Sequence, residues 1–396
     1  MADTERILGD ITVLELSHDI PGAYCGKLLA GLGARVIKVE PPNGEGDRDM
    51  PPFAGDVHHR ERSLPFLYLN TAKQSVTLDL ALREGQQILR RMVAGADVIV
   101  ESFAPGILAK WGLDYTTLSS LNPTLVMTSI TAFGQDGPYR DYLINEIVAA
   151  AIGGLLYTMG LPEREPLKIG GDAVLYNAGG SAFSAVMAAI WQRDVTGSGQ
   201  FIDISIQEAT ATSQIHSSIE ASWIDSNPGR RSSVLLEAKD GWVAVGVESG
   251  VSAETWPRLC DIMDRPELAD DPRFATTFAR RDHREELKAV VSDWVRMQSK
   301  EEVYHLLQGL RSIAGYVATT ADLYRSPQLV ERDFFQMIDH PVAGPASYPG
   351  FPFRVGDQPW MQIRAPLLGE HNEAIYAGVL GYSQQELHRL HEKGVI

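Results

Sequence analysis

The stretch 11-ITVLELSHDIPGAYCGKLLAGLGARVIKVE-40 places a helix between two strands. The apolar run ITVLEL (11–16) predicts a buried strand. The segment AYCGKLLAGLG (23–33) predicts a helix that ends at a glycine, and ARVIKVE (34–40) predicts the second strand. Two strands joined by a helix of this length pair in parallel through a right-handed crossover. This unit therefore predicts an α/β fold built on a parallel sheet.

The same alternation continues through the N-terminal half of the chain. The further strands and helices that it predicts are SVTLDL (75–80), EGQQILRRMVAGA (84–96), DVIVES (97–102), LVMTSIT (125–131), SAFSAVMAAIWQR (181–193) and GQFIDISIQ (199–207). We therefore expect a Rossmann-like large domain whose core is a twisted parallel sheet.

Changes in composition divide the chain further. NPGRR (227–231) predicts a turn or linker, and residues 253–310 are mostly helical in pattern and more charged. The expected parts are residues 1–224 as the N-terminal part of the large domain, residues 225–330 as a small α+β domain, and residues 331–396 as a return to the large domain. Ser383 and Glu386 have the spacing of a capping box, which predicts a helix at the C-terminal end.

The charge balance excludes one class of partner. The 396 residues include 51 acidic and 35 basic side chains, so the formal net charge is -16. A nucleic-acid surface needs clustered Lys and Arg, and we therefore expect no nucleic-acid partner. The start MADTERILGD has no apolar signal region, and no run of about eighteen apolar residues predicts a membrane span. We expect a cytoplasmic protein without membrane contact.

Two common chemistries lack their motifs. Glu40 ends the second strand, where an acid of a nicotinamide-dependent enzyme binds ribose. The preceding loop, SHDIPGAYCG (17–26), has no G-x-G-x-x-G, so its backbone cannot approach a pyrophosphate in that manner. The chain also has no G-x-S-x-G elbow, which argues against a serine hydrolase.

The histidines and cysteines do not predict a metal site. The neighbours His58 and His59, like the pair His388 and His391, lack further ligands at metal spacing. Cys25 lies in an apolar helical pattern, and we interpret it as a buried structural thiol. We therefore expect no bound metal.

Six segments occur in an order that is typical of one enzyme family. They are LLAGLGARVIKVEPPNGEGD (28–47), LNTAKQSVTLDL (69–80), ADVIVESFAPGILAKWGLDY (96–115), LNPTLVMTSITAFGQDGPY (121–139), RDVTGSGQFIDISIQEA (193–209) and RAPLLGEHNEAI (364–375). Together they resemble the class III CoA-transferase family, which includes formyl-CoA transferase, the carnitine CoA-transferase and, as a side branch, 2-methylacyl-CoA racemase. Each segment alone is a weak signal, whereas six in the same order argue strongly against a chance match.

The resemblance implies both an architecture and a reaction. A large α/β domain is formed by both chain ends, and two chains interlock, each threading through the central hole of the other. The family moves CoA from an acyl-CoA donor to a carboxylic acid acceptor, so CoA is a substrate and no covalently bound cofactor is expected. An aspartate attacks the thioester to give a mixed anhydride, CoA returns as an aspartyl-CoA thioester, and the acceptor takes the CoA. Covalent intermediates divide one difficult exchange into easier steps.

Contacts with CoA are carried over only where residues match the family. The positions so implied are His18, Asp19, Ile20, Asn70, Lys73, Ser102, Phe103, Ala104 and Lys110. Asn70 and Lys73 match an N-x-x-K pattern, and Lys110 keeps a basic position that suits a phosphate. Pro41 stands where some members place a phosphate-binding arginine, so the resemblance implies fewer basic contacts here.

The position of the nucleophile is the main departure from the family. The stretch 168-KIGGDAVLYNAGGSAF-183 holds one acid, Asp172, in a run of small and apolar residues that leads into the helix predicted at 181–193. Glu146 upstream and Gly179 downstream match the family without a gap. Counted from either side, the family's aspartate falls on Leu175, three residues after Asp172.

Three interpretations follow. In the first, Leu175 replaces the nucleophile, and the chain pairs as a heterodimer or heterotetramer with a homologous subunit that carries the aspartate. The aspartate-deficient subunit of succinyl-CoA:(R)-benzylsuccinate CoA-transferase, a heteromeric family member, is similar in this respect. In the second, a homodimer uses Asp172 as its nucleophile. In the third, the chain is a CoA-binding protein without enzymatic activity.

The racemase branch is disfavoured by two positions. Its proton-transfer pair needs a histidine before the acid at 146 and the same aspartate. The chain has Asn145 and Leu175 at these positions. Both members of the pair are therefore absent from the sequence.

Overall fold

The computed structural model describes residues 6–224, 235–246, 251–252, 254–356 and 360–396. The chain divides into a large unit, Met1–Gly160 with Arg164–Arg230 and Asp333–Ile396, and a small unit, Leu161–Glu163 with Arg231–Arg332. The large unit is thus built from both chain ends. The predicted boundaries at 225 and 330 differ from this division by a few residues, and the predicted linker NPGRR lies outside the described residues.

A six-stranded parallel sheet forms the centre of the large unit. Its strands are β1 (Thr12–Leu16), β2 (Arg35–Glu40), β3 (Gln74–Thr77), β4 (Val98–Glu101), β5 (Val126–Thr131) and β6 (Phe201–Ser205). Their order across the sheet is β3-β2-β1-β4-β5-β6. Leu14 of β1 pairs with Ile37 of β2 on one side and with Ile99 of β4 on the other. All six strands correspond to strands predicted from the sequence, and the predicted α/β fold class is confirmed.

Helices cover both faces of this sheet. Those of the large unit before residue 225 are α1 (Ile20–Gly31), α2 (Leu64–Leu69), α3 (Arg83–Val93), α4 (Ile107–Lys110), α5 (Tyr115–Leu121), α6 (Glu146–Ile152), α7 (Leu155–Thr158), α8 (Ala173–Thr196), α9 (Ile206–Thr212) and α10 (Ile215–Ile224). On one face, α1 and α8 pack over residues such as Val13 and Val98. On the other face, α3 packs over residues such as Leu14 and Ile99. Burial on both faces explains why the strands are continuous apolar runs.

The helix predicted at 181–193 begins earlier, because α8 spans Ala173–Thr196. Val174, Ala178, Ala182 and Val186 repeat every four residues and form its buried side. By length and composition alone α8 could cross a membrane, with a hydropathy of 1.4. Core helices of globular proteins meet the same criterion, and α8 packs against α1 in the main core.

The small unit has its own core. Its described strands are β7 (Leu235–Ala238), β8 (Gly241–Val245) and β9 (Ala314–Tyr316), which form an antiparallel sheet in that order. Its helices are α11 (Thr255–Ile262), α12 (Thr277–Asp282), α13 (Arg284–Val295), α14 (Lys300–Gly309), α15 (Thr320–Arg325) and α16 (Pro327–Glu331). Trp256 is 1 % exposed and packs with Leu259 and Phe274 at the centre of this unit. The small unit is therefore an α+β body, as predicted.

The C-terminal segment returns to the large unit. Its elements are β10 (Phe335–His340) and β11 (Gly344–Pro349), which form an antiparallel pair, and α17 (Asn372–Tyr376) and α18 (Gln384–Glu392). The predicted capping box is present, because the Ser383 and Glu386 side chains each accept from the other residue's backbone N–H at the start of α18. The C-terminal helix that the sequence predicts is therefore confirmed.

The motif GEHN (369–372) attaches this returning segment to the edge strand β3. Gly369 donates its N–H to the Ser75 hydroxyl at 3.0 Å, and Ser75 N–H donates to His371 Nδ1 at 3.2 Å. Thr77 N–H donates to Asn372 Oδ1 at 2.8 Å. The motif thus occupies polar groups of β3 and has a structural role.

Candidate active site

The strand order reverses between β1 and β4, and open α/β sheets bind ligands in the crevice at such a point. Two of the predicted CoA-binding segments meet there, one after each strand. His18 donates its N–H to the Ser102 hydroxyl at 3.2 Å, and the rings of His18 and Phe103 lie 5.4 Å apart. The fold therefore places the turn at 18–20 beside the turn at 102–104.

Two acids lie in this crevice. Asp19 is the N-cap of α1, and its carboxylate accepts the Gly22 N–H at 3.3 Å. Glu101 at the end of β4 is 4 % exposed and accepts the Phe103 N–H at 2.8 Å. Burial raises the pKa of both carboxyls, that of Glu101 to about 7. At neutral pH Glu101 consequently repels an anionic ligand less than an ordinary carboxylate would.

Lys110 is the exposed base of this region. It ends α4, and its ammonium forms no ion pair or hydrogen bond with any described residue. Trp111, the next residue, packs its ring edge-on at 5.4 Å from Phe103. Lys110 is therefore free to meet an anionic group beside the aromatic residues.

Lys73 and Asn70 lie deeper than the other predicted contacts. The Lys73 ammonium forms an ion pair with Glu15 at 2.7 Å and donates to the Asn70 amide oxygen and the Ala23 carbonyl, each at 2.8 Å. Burial lowers the pKa of Lys73 to about 8, although Glu15 opposes the shift. Lys73 thus has partners on α1, on β1 and at the end of α2.

A cavity of about 350 Å³ opens on the other side of the turn at 102–104. Phe103 and Ala104 line it together with Tyr115, Gln135 and Phe201. Apolar walls with a few polar groups are typical of ligand pockets. The last three residues come from distant parts of the chain and carry no motif, so the sequence does not indicate them.

Leu175 lies in the first turn of α8, next to the start of α1. It packs in a small apolar cluster with Ile20, Ala23 and Leu69. The two helices approach closely at Gly179, where an added Cβ would stand 2.6 Å from the Pro21 carbonyl oxygen. Leu175 is therefore adjacent to the turn at 18–20.

Glu146 caps the same end of α8. Its two carboxylate oxygens accept the backbone N–H groups of Val174 and Leu175, each at 3.3 Å. A carboxylate is stabilised there by the unpaired N–H groups and by the positive end of the helix dipole. Burial nevertheless raises the pKa of Glu146. In the sequence Glu146 serves only to set the register of the resemblance. Its capping role depends on a contact 28 residues along the chain.

Asp172 occupies the N-cap position of α8 without forming a capping bond. The side chain is partly buried, and its carboxylate has no hydrogen bond with any described residue. Glu146, which does bond the first turn, replaces it as the cap. The Asp172 side chain therefore does not cap α8.

Glu40, Cys25 and His58, which were considered for ribose or metal binding, lie in structural or solvent-exposed positions. Arg48 bonds both Glu40 oxygens, at 2.6 and 2.9 Å, and Ser75 donates to one of them, so Glu40 is not free to bind ribose. Cys25 is buried, which raises the pKa of its thiol. His58 is exposed and lies 3.5 Å from Asp49. Within the described ranges, no three His, Cys, Asp or Glu side chains cluster as metal ligands.

Known proteins with the same features define the class of this chain. The model of CoA-transferase family III matches residues 8–372, and the chain belongs to that family. This chain is thus a CoA-transferase, which moves CoA between carboxylic acids and uses CoA thioesters as substrates. The resemblance found in the sequence is thereby confirmed at the level of the family.

Similar proteins share almost the full length of this chain. The succinyl-CoA–D-citramalate CoA-transferase of Chloroflexus aurantiacus is 34 % identical over 99 % of this chain and 98 % of its own. The formyl-CoA:oxalate CoA-transferase of Streptomyces avermitilis is 31 % identical over 99 % of this chain and 100 % of its own. The succinyl-CoA:mesaconate CoA-transferase of Haloarcula hispanica is 31 % identical over 92 % of this chain and 94 % of its own.

Solved structures agree with the fold. A CaiB/BaiF family protein from Brucella suis superposes with a TM-score of 0.83 and 32 % identity, over 93 % of this chain and 98 % of its own. Rv3272 from Mycobacterium tuberculosis gives a TM-score of 0.80 and 28 % identity over 93 % of this chain and 98 % of its own. An aspartate-to-alanine variant of Rv3272 matches with the same TM-score and identity.

Proposed function

We propose that this chain is the aspartate-deficient subunit of a heteromeric CoA-transferase and pairs with a homologous subunit that carries the aspartate. The observation that carries the proposal is Leu175, which lies in the first turn of α8 beside the turn at 18–20. An apolar side chain cannot attack a thioester, so the partner supplies the nucleophile. The donor is an acyl-CoA such as succinyl-CoA, the acceptor is a carboxylic acid of the benzylsuccinate kind, and the location is cytoplasmic.

The proposed CoA site of this chain has two layers. The residues that contact CoA are His18, Asp19, Ile20, Ser102, Phe103, Ala104 and Lys110. Asn70 and Lys73 stand behind them and support the start of α1 through the Ala23 carbonyl. The exposed Lys110 ammonium attracts a CoA phosphate, because an unpaired cation next to an anion is favourable. The cavity lined by Phe103 and Ala104 accommodates part of the nucleotide.

In the catalytic subunit, the aspartate oxygen bonds to the thioester carbonyl carbon while the carbon–sulfur bond breaks, and CoA leaves as a thiolate. The acyl group of the resulting anhydride departs as a carboxylate when the thiolate attacks the aspartyl carbon. The acceptor carboxylate and the aspartyl thioester then exchange CoA through a second anhydride, and the aspartate is regenerated. Each step is a nucleophilic substitution at an acyl carbon, and no oxidant or reductant is needed.

The proposal is tested by expressing the chain alone and together with a homologous chain from a neighbouring gene that carries the aspartate. CoA transfer from succinyl-CoA to a panel of carboxylic acids is measured in both cases. We expect transfer only with both chains, and no effect of Asp172→Ala in this chain. Full activity of the lone chain would contradict the heteromer.

A homodimer that uses Asp172 is the second candidate. The observation in its favour is that the Asp172 carboxylate is partly exposed and not engaged in a hydrogen bond with the described residues. In this case the lone chain is active and Asp172→Ala abolishes the activity. Removal of a covalent nucleophile lowers kcat by orders of magnitude, which distinguishes this role from an indirect one.

A further inference from the structure

Three tyrosines surround the position of the missing nucleophile. Tyr24, Tyr68 and Tyr176 pack with Leu175 in the cluster next to α1, and we call them the tyrosine cluster. The Tyr24 and Tyr176 rings meet edge-to-face at 4.9 Å. All three side chains are partly exposed, so they present aromatic surface next to Leu175. An acyl group delivered to this position would contact rings and a leucine.

The phenol groups of the cluster stay available as hydrogen-bond donors. None of the three hydroxyls bonds to another residue within the described part of the chain. Burial raises the pKa of each of them, that of Tyr176 to about 12, so they are neutral at pH 7. A neutral phenol donates well to the carbonyl oxygen of a thioester.

Two lysines near the cluster donate hydrogen bonds to other groups of the chain. Lys27 lies behind Tyr68, with its ammonium 4.3 Å from the ring centroid and 2.6 Å from the Thr71 hydroxyl. Burial lowers the pKa of Lys27 to about 7. Lys168 is exposed, and its ammonium donates to the carbonyls of Ile169 and Gly171. These lysines are thus engaged or remote from the ring surface.

Two acids add negative charge at the same place. The carboxylates of Glu146 and Asp172 lie at the start of α8. Burial is the main cause that raises the pKa of both Glu146 and Tyr176, the charge of Asp172 adds to it, and Lys168 opposes it at Glu146. A second carboxylate on an acyl group would lose water here and meet repulsion from these two acids. An uncharged acyl group has no such cost and buries apolar surface against Leu175.

We propose that this chain's own site holds the acyl group of a CoA thioester that is uncharged and apolar, above all an aryl group, against Leu175 and the tyrosine cluster. The inference rests on the proposed function, because it requires that the chain binds CoA thioesters. The thioester stays intact, since Leu175 offers no nucleophile. The site is thus a binding site for acyl-CoA without turnover, distinct in specificity from a site for small dicarboxylic acids.

The test is isothermal titration of the full chain, alone and with its partner subunit, with benzoyl-CoA, pentanoyl-CoA, succinyl-CoA and CoA. Pentanoyl-CoA resembles succinyl-CoA in length but lacks the carboxylate. We expect benzoyl-CoA to bind about tenfold or more tightly than succinyl-CoA, with pentanoyl-CoA between them, because the apolar groups are buried. Tyr176→Ala removes the preference and leaves CoA binding unchanged. Phe278→Ala, an exposed aromatic residue of the small unit, is the control and keeps the preference.

The titrations distinguish the preference for uncharged acyl groups from the binding of CoA thioesters as such. Equal affinities for the acyl-CoAs, or tighter binding of succinyl-CoA, overturn the inference while CoA binding remains. Failure of CoA and of every thioester to bind overturns both. If Tyr176→Ala does not fold, the affinities of the unmodified chain for the four ligands still test the preference for uncharged acyl groups. Tyr176→Phe keeps the ring and should retain that preference.

Discussion

The carboxylate of Glu146 accepts the backbone N–H of Leu175 at 3.3 Å. An anion therefore sits at the N-terminus of α8 although residue 175 itself carries no charge. Glu146 rather than Asp172 bonds the N–H groups at this helix end. This arrangement occupies two N–H groups in the first turn of α8 while Leu175 itself stays apolar.

Replacing Leu175 by aspartate should give the lone chain CoA-transferase activity. Leu175→Asp places a carboxylate in the first turn of α8, next to the turn at 18–20. We expect the lone chain to gain CoA-transferase activity of at least about a hundredfold over its background, because covalent catalysis becomes available. The measurement is CoA transfer together with mass spectrometry of an acylated peptide that contains residue 175.

The control for that gain is Leu175→Asn, which has the same shape without a nucleophilic carboxylate. It should remain inactive. A Leu175→Asp variant that folds and binds CoA but stays inactive would show that the site lacks more than the aspartate.

The two lysines of the proposed CoA site should behave in opposite ways. Lys110 is exposed and unpaired within the described residues, so Lys110→Ala should weaken CoA binding severalfold and leave stability within about 0.5 kcal/mol. Lys73 forms a buried ion pair with Glu15. Lys73→Ala leaves the Glu15 carboxylate unpaired and should lower the free energy of unfolding by about 3–5 kcal/mol.

Denaturant unfolding and CoA titration measure the two effects separately. Adding Glu15→Gln to Lys73→Ala should recover part of the lost stability, because it removes the uncompensated charge. A loss of CoA affinity without a loss of stability in Lys73→Ala would show that this lysine binds the ligand directly.

Stability should fall as the pH rises from about 4.5 to 7. The buried Glu101 carboxyl has its pKa raised from 4.5 to about 7, so the folded state binds this proton in a range where the unfolded chain has released it. Below the unfolded pKa both states are protonated and the group costs nothing, whereas above the folded pKa the full cost is present. That cost reaches up to about 3 kcal/mol for a shift of this size.

Unfolding free energies measured between pH 4.5 and 8 test this expectation. Glu101→Gln should flatten the pH profile, because an amide does not titrate. Glu163→Gln changes an exposed acid of the small unit and should leave the profile as it is. An unchanged slope in Glu101→Gln would mean that other groups cause the dependence.

Two adjacent glycines of α8 should respond oppositely to alanine. At Gly179 an added Cβ would stand 2.6 Å from the Pro21 carbonyl oxygen, so Gly179→Ala should separate α1 from α8 and cost about 1–3 kcal/mol. At Gly180 nothing lies within 4 Å, and Gly180→Ala should stabilise the helix by about 0.5–1 kcal/mol. Thermal unfolding of the two variants provides the comparison, and a stabilising Gly179→Ala would contradict the close approach.

Local patterns were sufficient for most of the fold. Apolar runs alternating with helical segments predicted all six strands of the sheet, and the spacing of Ser383 and Glu386 predicted the cap of α18. The start of α8 was placed eight residues late, because its first two turns contain small residues without a clear period. Such patterns act within one turn or one strand, which is why the sequence shows them.

The candidate site was predictable only in part. The segments at 18–20 and 102–104 could be named from motifs, and the structure brings them together at the reversal of strand order. Lys73 matched a motif as well, but its pairing with Glu15 depends on the packing of β1 against the end of α2. Gln135 and Phe201 lie on separate elements and had no signal that linked them to the cavity.

The sequence by itself determined the family, the α/β fold and the leucine at position 175, because composition, periodicity and motif order are properties of the linear chain. The tertiary structure alone decided that Glu146 caps α8, that Lys73 is engaged by Glu15 and that three tyrosines surround Leu175. Those contacts join residues far apart in the chain. Their strength comes from burial and from the exclusion of water, which arise only when the helices pack on the sheet.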